Sequence, residues 1–194
     1  EARPGDQQFQ AALSRGNNAV IAQLPIFSTS QPLEMGLPSQ TVQGVSCSEE
    51  SPILFPKAES FLTASSALSG IAKGHIAPII DSDGAIRRTP AIVCFRNEPY
   101  PALSIAPFSL ATGSESWSVQ INDSSNPLDA YSSLTLRSYP GLEIPIDEQG
   151  NVRFSFHKSP SAFRAVSAVD VLNGEYDPGM FDNVWVLVGA TAFA

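Results

Sequence analysis

The chain has 194 residues, of which 43% are hydrophobic and only 15% charged, and its formal net charge is −8. That length can bury a sizeable core, and the charge content lies well under the ~25% typical of soluble domains. The acidic balance excludes nonspecific nucleic-acid binding, which needs a basic face to displace counterions, and docking on an anionic membrane surface.

Asp6 is placed to cap a short helix in which Phe9, Ala12 and Leu13 share one face, and Gly16-Asn17-Asn18 stops it. Residues 19–24 then read as a continuous apolar strand closed by Pro25, the pattern of a strand covered on both faces. Residues 28–56 are rich in proline and serine and without periodicity, so they read as a long irregular excursion with one short strand near 41–45. Residues 58–73 carry an apolar stripe at helical spacing, including Phe61, Leu62, Leu68 and Ile71, with Gly74 as the stop.

Next come two apolar runs, 76–80 and 86–95, around the polar tetrad Asp81-Ser82-Asp83-Gly84. This is the pattern of a β-hairpin, because glycine supplies a positive φ and aspartate bonds to nearby amides. Residues 100–112 read as a helix started by Pro101 and disturbed by Pro107. After a polar, turn-rich stretch over 114–133, strands are expected at 135–139, 143–147 and 151–156. The last two enclose Asp147-Glu148-Gln149-Gly150, a second turn of the same chemistry. Ser167 and Asp170 form a capping box for a helix ending at Gly174, and 184–188 is the most apolar strand, placed at the sheet centre. The fold class is α/β: a mixed sheet with helices on its faces and at least two β-hairpins, in a single domain over 1–194.

Chemistry is sparse in this pattern. Gly189-Ala190-Thr191-Ala192 lacks the lysine and spaced glycines of a phosphate loop. The Asp81 turn begins like a calcium loop, but Ala85, Arg87 and Ile92 occupy later ligand positions. No Gly-x-Ser-x-Gly elbow is present. His75 and His157 read as strand-end histidines bonded to backbone rather than as metal ligands. No catalytic set, metal or cofactor is therefore expected. The candidate binding residues are Arg87 and Arg88 with Asp81 and Asp83. A guanidinium there can hold a carboxylate or phosphate-like ligand bidentately; alternatively one arginine faces solvent while the other pairs with Asp81 or Asp83. Cys47 and Cys94 have no metal or redox spacing. Cys94 lies in an apolar strand and reads as a small buried hydrophobe, in preference to a Cys47–Cys94 bridge, which needs an oxidising compartment.

The order of motifs resembles a known family. Gly74-His75-Ile76 leads to Asp81-Ser-Asp-Gly-Ala-Ile-Arg-Arg-Thr-Pro90, and then to Tyr100-Pro-Ala-Leu-Ser-Ile-Ala106. Later come Ile144-Pro-Ile-Asp-Glu-Gln-Gly150, Phe163-Arg-Ala-Val-Ser-Ala-Val-Asp-Val-Leu-Asn-Gly174 and Val186-Leu-Val-Gly-Ala-Thr-Ala192. This series is similar to the second class of CHASE domains, the cyclase/histidine-kinase-associated sensory extracellular domains of bacteria. The resemblance covers most of residues 6–192. It implies an extracytoplasmic sensor, in the periplasm or at the cell surface, tethered to the membrane within a receptor. The output would be a cyclase, a phosphodiesterase or a kinase. It also implies an unknown small-molecule ligand, a homodimer in the full-length receptor, and no enzyme activity. The other reading is a spacer or dimerisation module without its own ligand. Against the family, an N-terminal strand-helix-strand unit and the membrane helices are missing, so the chain reads as a fragment of something longer.

Overall fold

The structure is a computed structural model and describes residues 4–28, 40–122, 131–159 and 162–190. The chain divides into two compact units, Glu1–Phe154 and Ser155–Ala194. Both α and β elements are present, with several small sheets and antiparallel hairpins, as an α/β reading requires.

The first unit opens with α1 (Pro4–Gly16), where Asp6 lies in the first turn rather than capping it. Asn17 turns the chain out of the helix at φ +44°. β1 (Val20–Ile26) runs past Pro25 and pairs antiparallel with β2 (Ser60–Leu62) and parallel with β3 (Ala72–His75). This small sheet is mixed. β1 is covered on one face only: Gln23 and Pro25 point inward while Ala22 and Leu24 are exposed.

The helix expected over 58–73 does not form. In its place stand β2, a 3₁₀ turn at Ser66–Leu68 and β3. Phe61, Leu68 and Ile71 are buried as the helical stripe demanded, but the two open edges of β1 take the backbone into sheet pairing. Tertiary pairing outweighs a local preference already weakened by four serines and Gly70. Gly74, expected as a helix stop, is a strand residue. A Cβ there would lie 2.5 Å from the Leu103 Cα, so glycine is required for backbone to pack on backbone.

The next strands are β4 (Ile79–Ile80), β5 (Ile86–Pro90), β6 (Ile92–Phe95) and β7 (Glu98–Pro101). β4 and β5 form the hairpin around Asp81–Gly84, and β6 pairs with β7. The helix expected from residue 100 begins later, as α2 (Ala106–Thr112), because 98–101 is drawn into pairing with β6. Pro107 therefore sits in the first turn, where its missing N–H costs nothing.

The stretch over 114–133 hides β8 (Trp117–Asn122), which pairs with β9 (Tyr131–Leu136); the residues between them lie outside the described ones. β9 starts earlier than the strand expected at 135–139, since register with β8 sets its bounds. β10 (Glu143–Ile146) and β11 (Asn151–Arg153) flank the Asp147 turn, but they do not pair with each other. β10 joins β9 and β11 joins β5, so this turn carries the chain from one sheet to another. The main core lies between these sheets and contains Trp117, Leu134, Leu136, Ile92 and Ile105. Val42 and Val45 belong to it although residues 41–45 make only a single bridge, Gln43 to Ser116, rather than a strand.

In the second unit Ser167 caps α3 (Ala168–Asn173) through a bond from the Val169 N–H, and Gly174 closes it at φ +75°. A 3₁₀ turn follows at Pro178–Phe181. Residues 184–188, expected as the central strand, form no strand, and all five side chains are exposed. An apolar run specifies a demand for burial but not which edge will pair with it.

Candidate functional site

Two turns of one design come together on the first unit. In each, the aspartate carbonyl accepts from the glycine N–H: Gly84 to Asp81 and Gly150 to Asp147, both at 2.8 Å. The glycines sit at φ +81° and +73°, as such a turn requires. In each the aspartate N–H also bonds to a carbonyl on the outgoing strand, Ala85 at 2.9 Å and Asn151 at 3.0 Å. Asp83 Oδ1 accepts from the Ala85 N–H, and Asp147 Oδ1 accepts from the N–H groups of Gln149 and Asn151.

β5 brings Arg87 and Arg88 against these turns. Arg87 forks onto Asp83, Nη1 to Oδ1 at 2.9 Å and Nη2 to Oδ2 at 2.7 Å, and its Nη1 also reaches Asp81 Oδ2 at 3.0 Å. Arg88 Nη2 donates to Asp81 Oδ1 at 2.8 Å, and its Nη1 lies 3.8 Å from Asp147 Oδ2. Asp81 is thus held from both sides, and Arg88 ties the first turn to the second. The Arg88 and Arg87 guanidiniums hold the Asp81 carboxyl below the usual carboxylate range. Arg87, helped by the Ala85 N–H, does the same for Asp83. The same pairs push both arginines up.

The sequence singled out Asp81, Asp83, Arg87 and Arg88, and all four meet here. Neither arginine is left to solvent alone: both are engaged. Asp147 completes the cluster and was not among the expected residues, although its Asp-x-x-Gly repeat of the first turn was legible. The exposed end is Arg87 with Asp83, each side chain more than half accessible, whereas Asp81 is largely covered.

Elsewhere in the first unit Cys47 and Cys94 are joined in a disulfide, with Cα atoms 5.8 Å apart. This corrects the expectation of a buried thiol. The burial holds; the chain that follows Cys47 runs along β6, where Lys57 bridges Cys94 and the Cys94 N–H donates to the Pro56 carbonyl. Two open depressions adjoin the bridge. One, of about 500 Å³, is lined by residues 41–47 and 97–99, and the other, of about 350 Å³, by Cys47, Ile53, Phe55 and Lys57 among others. Their linings hold no histidine and no group of closely set carboxylates.

His75 departs from the expectation of a histidine bonded to backbone. Its carbonyl accepts from the Leu103 N–H, but neither ring nitrogen has a hydrogen-bond partner.

The family model of the CHASE2 domain matches residues 1–194, the whole chain. The chain belongs to the CHASE2 domain family. CHASE2 is a family of extracellular sensory domains of receptors. No curated protein and no solved structure matches the chain. No helix among the described residues of this CHASE2 domain is long and apolar enough to cross a membrane.

Proposed function

We propose that this CHASE2 domain senses a small ligand or an environmental state outside the cytoplasmic membrane. It relays that state to a cyclase, phosphodiesterase or kinase inside, from a receptor that works as a homodimer. The family match over the whole chain carries the reading. The Cys47–Cys94 disulfide supports its location, because such bridges persist in oxidising compartments and are rare in the cytosol. Relay needs only differential affinity: a stimulus that favours one of two arrangements shifts the population of the receptor.

An anionic ligand would enter at Arg87 and Asp83, the exposed end of the cluster, by displacing the Asp83 carboxylate. One observation favours the other reading, a spacer without a ligand. Both guanidiniums already hold carboxylates of the same chain, as ordinary construction would have them. A thermal-shift screen of the 194-residue chain against small carboxylates, phosphate esters and neutral metabolites decides between them. A ligand present at a hundred times its Kd stabilises by ~2.7 kcal/mol. Stabilisation by one compound, together with its effect on output from the full-length receptor, supports the sensor. No stabilising compound, with output indifferent to every compound tested, supports the spacer.

A further inference from the structure

The Gln23 and His75 side chains are register partners in the parallel pair of β1 and β3 and emerge on the same face of the sheet. They are 2% and 1% exposed. Neither amide atom of Gln23 and neither ring nitrogen of His75 has a hydrogen-bond partner. Interiors satisfy nearly all buried polar atoms, so two adjacent side chains left entirely unmatched are unusual in a folded domain. Two residues earlier on the same face, Ile21 faces Lys73, which is also buried and donates to the carbonyls of Ser69 and Ile71.

The ionisable groups around His75 are few. β1, β2 and α2 carry none. On β7, Glu98 is exposed and the Tyr100 ring packs on Phe61 and Phe95. On β3 itself there is Lys73, a cation. The described elements packed against the imidazole therefore supply no carboxylate that would compensate an imidazolium.

We propose that the Gln23–His75 pair is a proton-triggered opening device. In the closed sheet the imidazole has to be neutral, and acidification favours an open arrangement in which it is protonated and both side chains are hydrated. The position suits a relay. The Gln23 backbone carbonyl accepts from the Ile76 N–H at the start of the segment leading to the Asp81 hairpin, and the His75 backbone carbonyl accepts from the Leu103 N–H ahead of α2. Loosening this point releases both connections.

The direction follows from burial, which pushes the His75 imidazole down to about 3 from an ordinary 6.5. A base whose pKa is lower when closed favours closure above pH 6.5 and loses that preference as pH falls from 6.5 towards 3. Between pH 7.5 and pH 5 the open-to-closed ratio at this sheet should rise about 30-fold.

The test is hydrogen exchange of the β1 and β3 amides in the 194-residue chain at pH 7.5 and pH 5, corrected for intrinsic exchange. The wild type should show the rise, His75→Met should abolish it, and Gln23→Met should keep it. An equal rise in His75→Met, or none in the wild type, overturns the proposal. Should His75→Met fail to fold, the ring resonances of the wild type decide: titration of the folded form near 6.5 overturns it, and a neutral folded ring at pH 5 sustains it. That protons are the stimulus rests on the sensor reading and is read separately. Output from the full-length receptor should change between pH 7.5 and pH 5 in the wild type and not in His75→Met. A sheet that opens while output stays constant removes protons as the stimulus and keeps the device. A sheet that does not open removes the device and leaves the sensor reading intact.

Discussion

Reducing the Cys47–Cys94 bridge should cost this domain a large part of its stability, and the size of the effect follows from the chain. The two cysteines are 47 residues apart in sequence. Closing a loop of that length removes chain entropy from the unfolded state worth about 4 kcal/mol. Reduction leaves both sulfurs in a buried setting, so the packing around Ile53, Phe55 and Ile92 changes little, and the comparison isolates the link itself. The assay is urea unfolding of the oxidised and reduced 194-residue chain, followed by tryptophan fluorescence, in which the buried Trp117 reports exposure of this core. With a slope of ~2 kcal/mol per molar urea, the reduced form should unfold about 2 M earlier. The stretch over 40–57 carries no regular helix or strand, so it should also become the first site of proteolytic cutting in the reduced form. Midpoints agreeing within about 0.3 M would refute the reasoning, as would two titratable thiols in the native oxidised chain. The second result would also withdraw the disulfide's support for an oxidising compartment.

Gly74→Ala places a Cβ 2.5 Å from the Leu103 Cα and 2.8 Å from its nitrogen, so backbone has to move. A loss of about 1–3 kcal/mol in urea unfolding is expected, and an unchanged midpoint would show that β3 and the 102–103 segment separate easily. Arg87→Ala removes the fork on Asp83 and one of the two bonds on Asp81, and should lower Tm at pH 7. Asp81 and Asp83 have folded pKa values below their unfolded ones. The stability they contribute is therefore present above pH ~4 and is lost as pH falls through the folded values. The Tm difference between wild type and Arg87→Ala should accordingly shrink below pH 4. A variant with unchanged Tm and an abolished receptor response would instead mark Arg87 as a ligand clamp.

Much of the candidate site was legible because turns are local. Asp81-Ser82-Asp83-Gly84 and Asp147-Glu148-Gln149-Gly150 state their geometry within four residues, through a glycine at positive φ and an aspartate that bonds its own backbone. The two arginines follow on the outgoing strand, close enough to reach back. Asp147 was not legible as a partner of Arg88, because that meeting depends on β11 pairing with β5 across more than sixty residues of chain. The same limit explains the misread elements. Residues 58–73 carry enough apolar side chains for a helix or for strands, and only the open edges of β1 decide between them.

By itself the sequence determined the acidic balance, the two aspartate-glycine turns, the caps at Ser167 and Gly174, and the motif order shared with the CHASE2 family. Each of these is written in residue type and short spacing. Tertiary structure alone decided that Cys47 meets Cys94, that Arg88 spans two turns, and that Gln23 and His75 lie side by side with nothing to bond. Those are contacts between distant segments, and their energy exists only once sheet pairing has brought the backbones together.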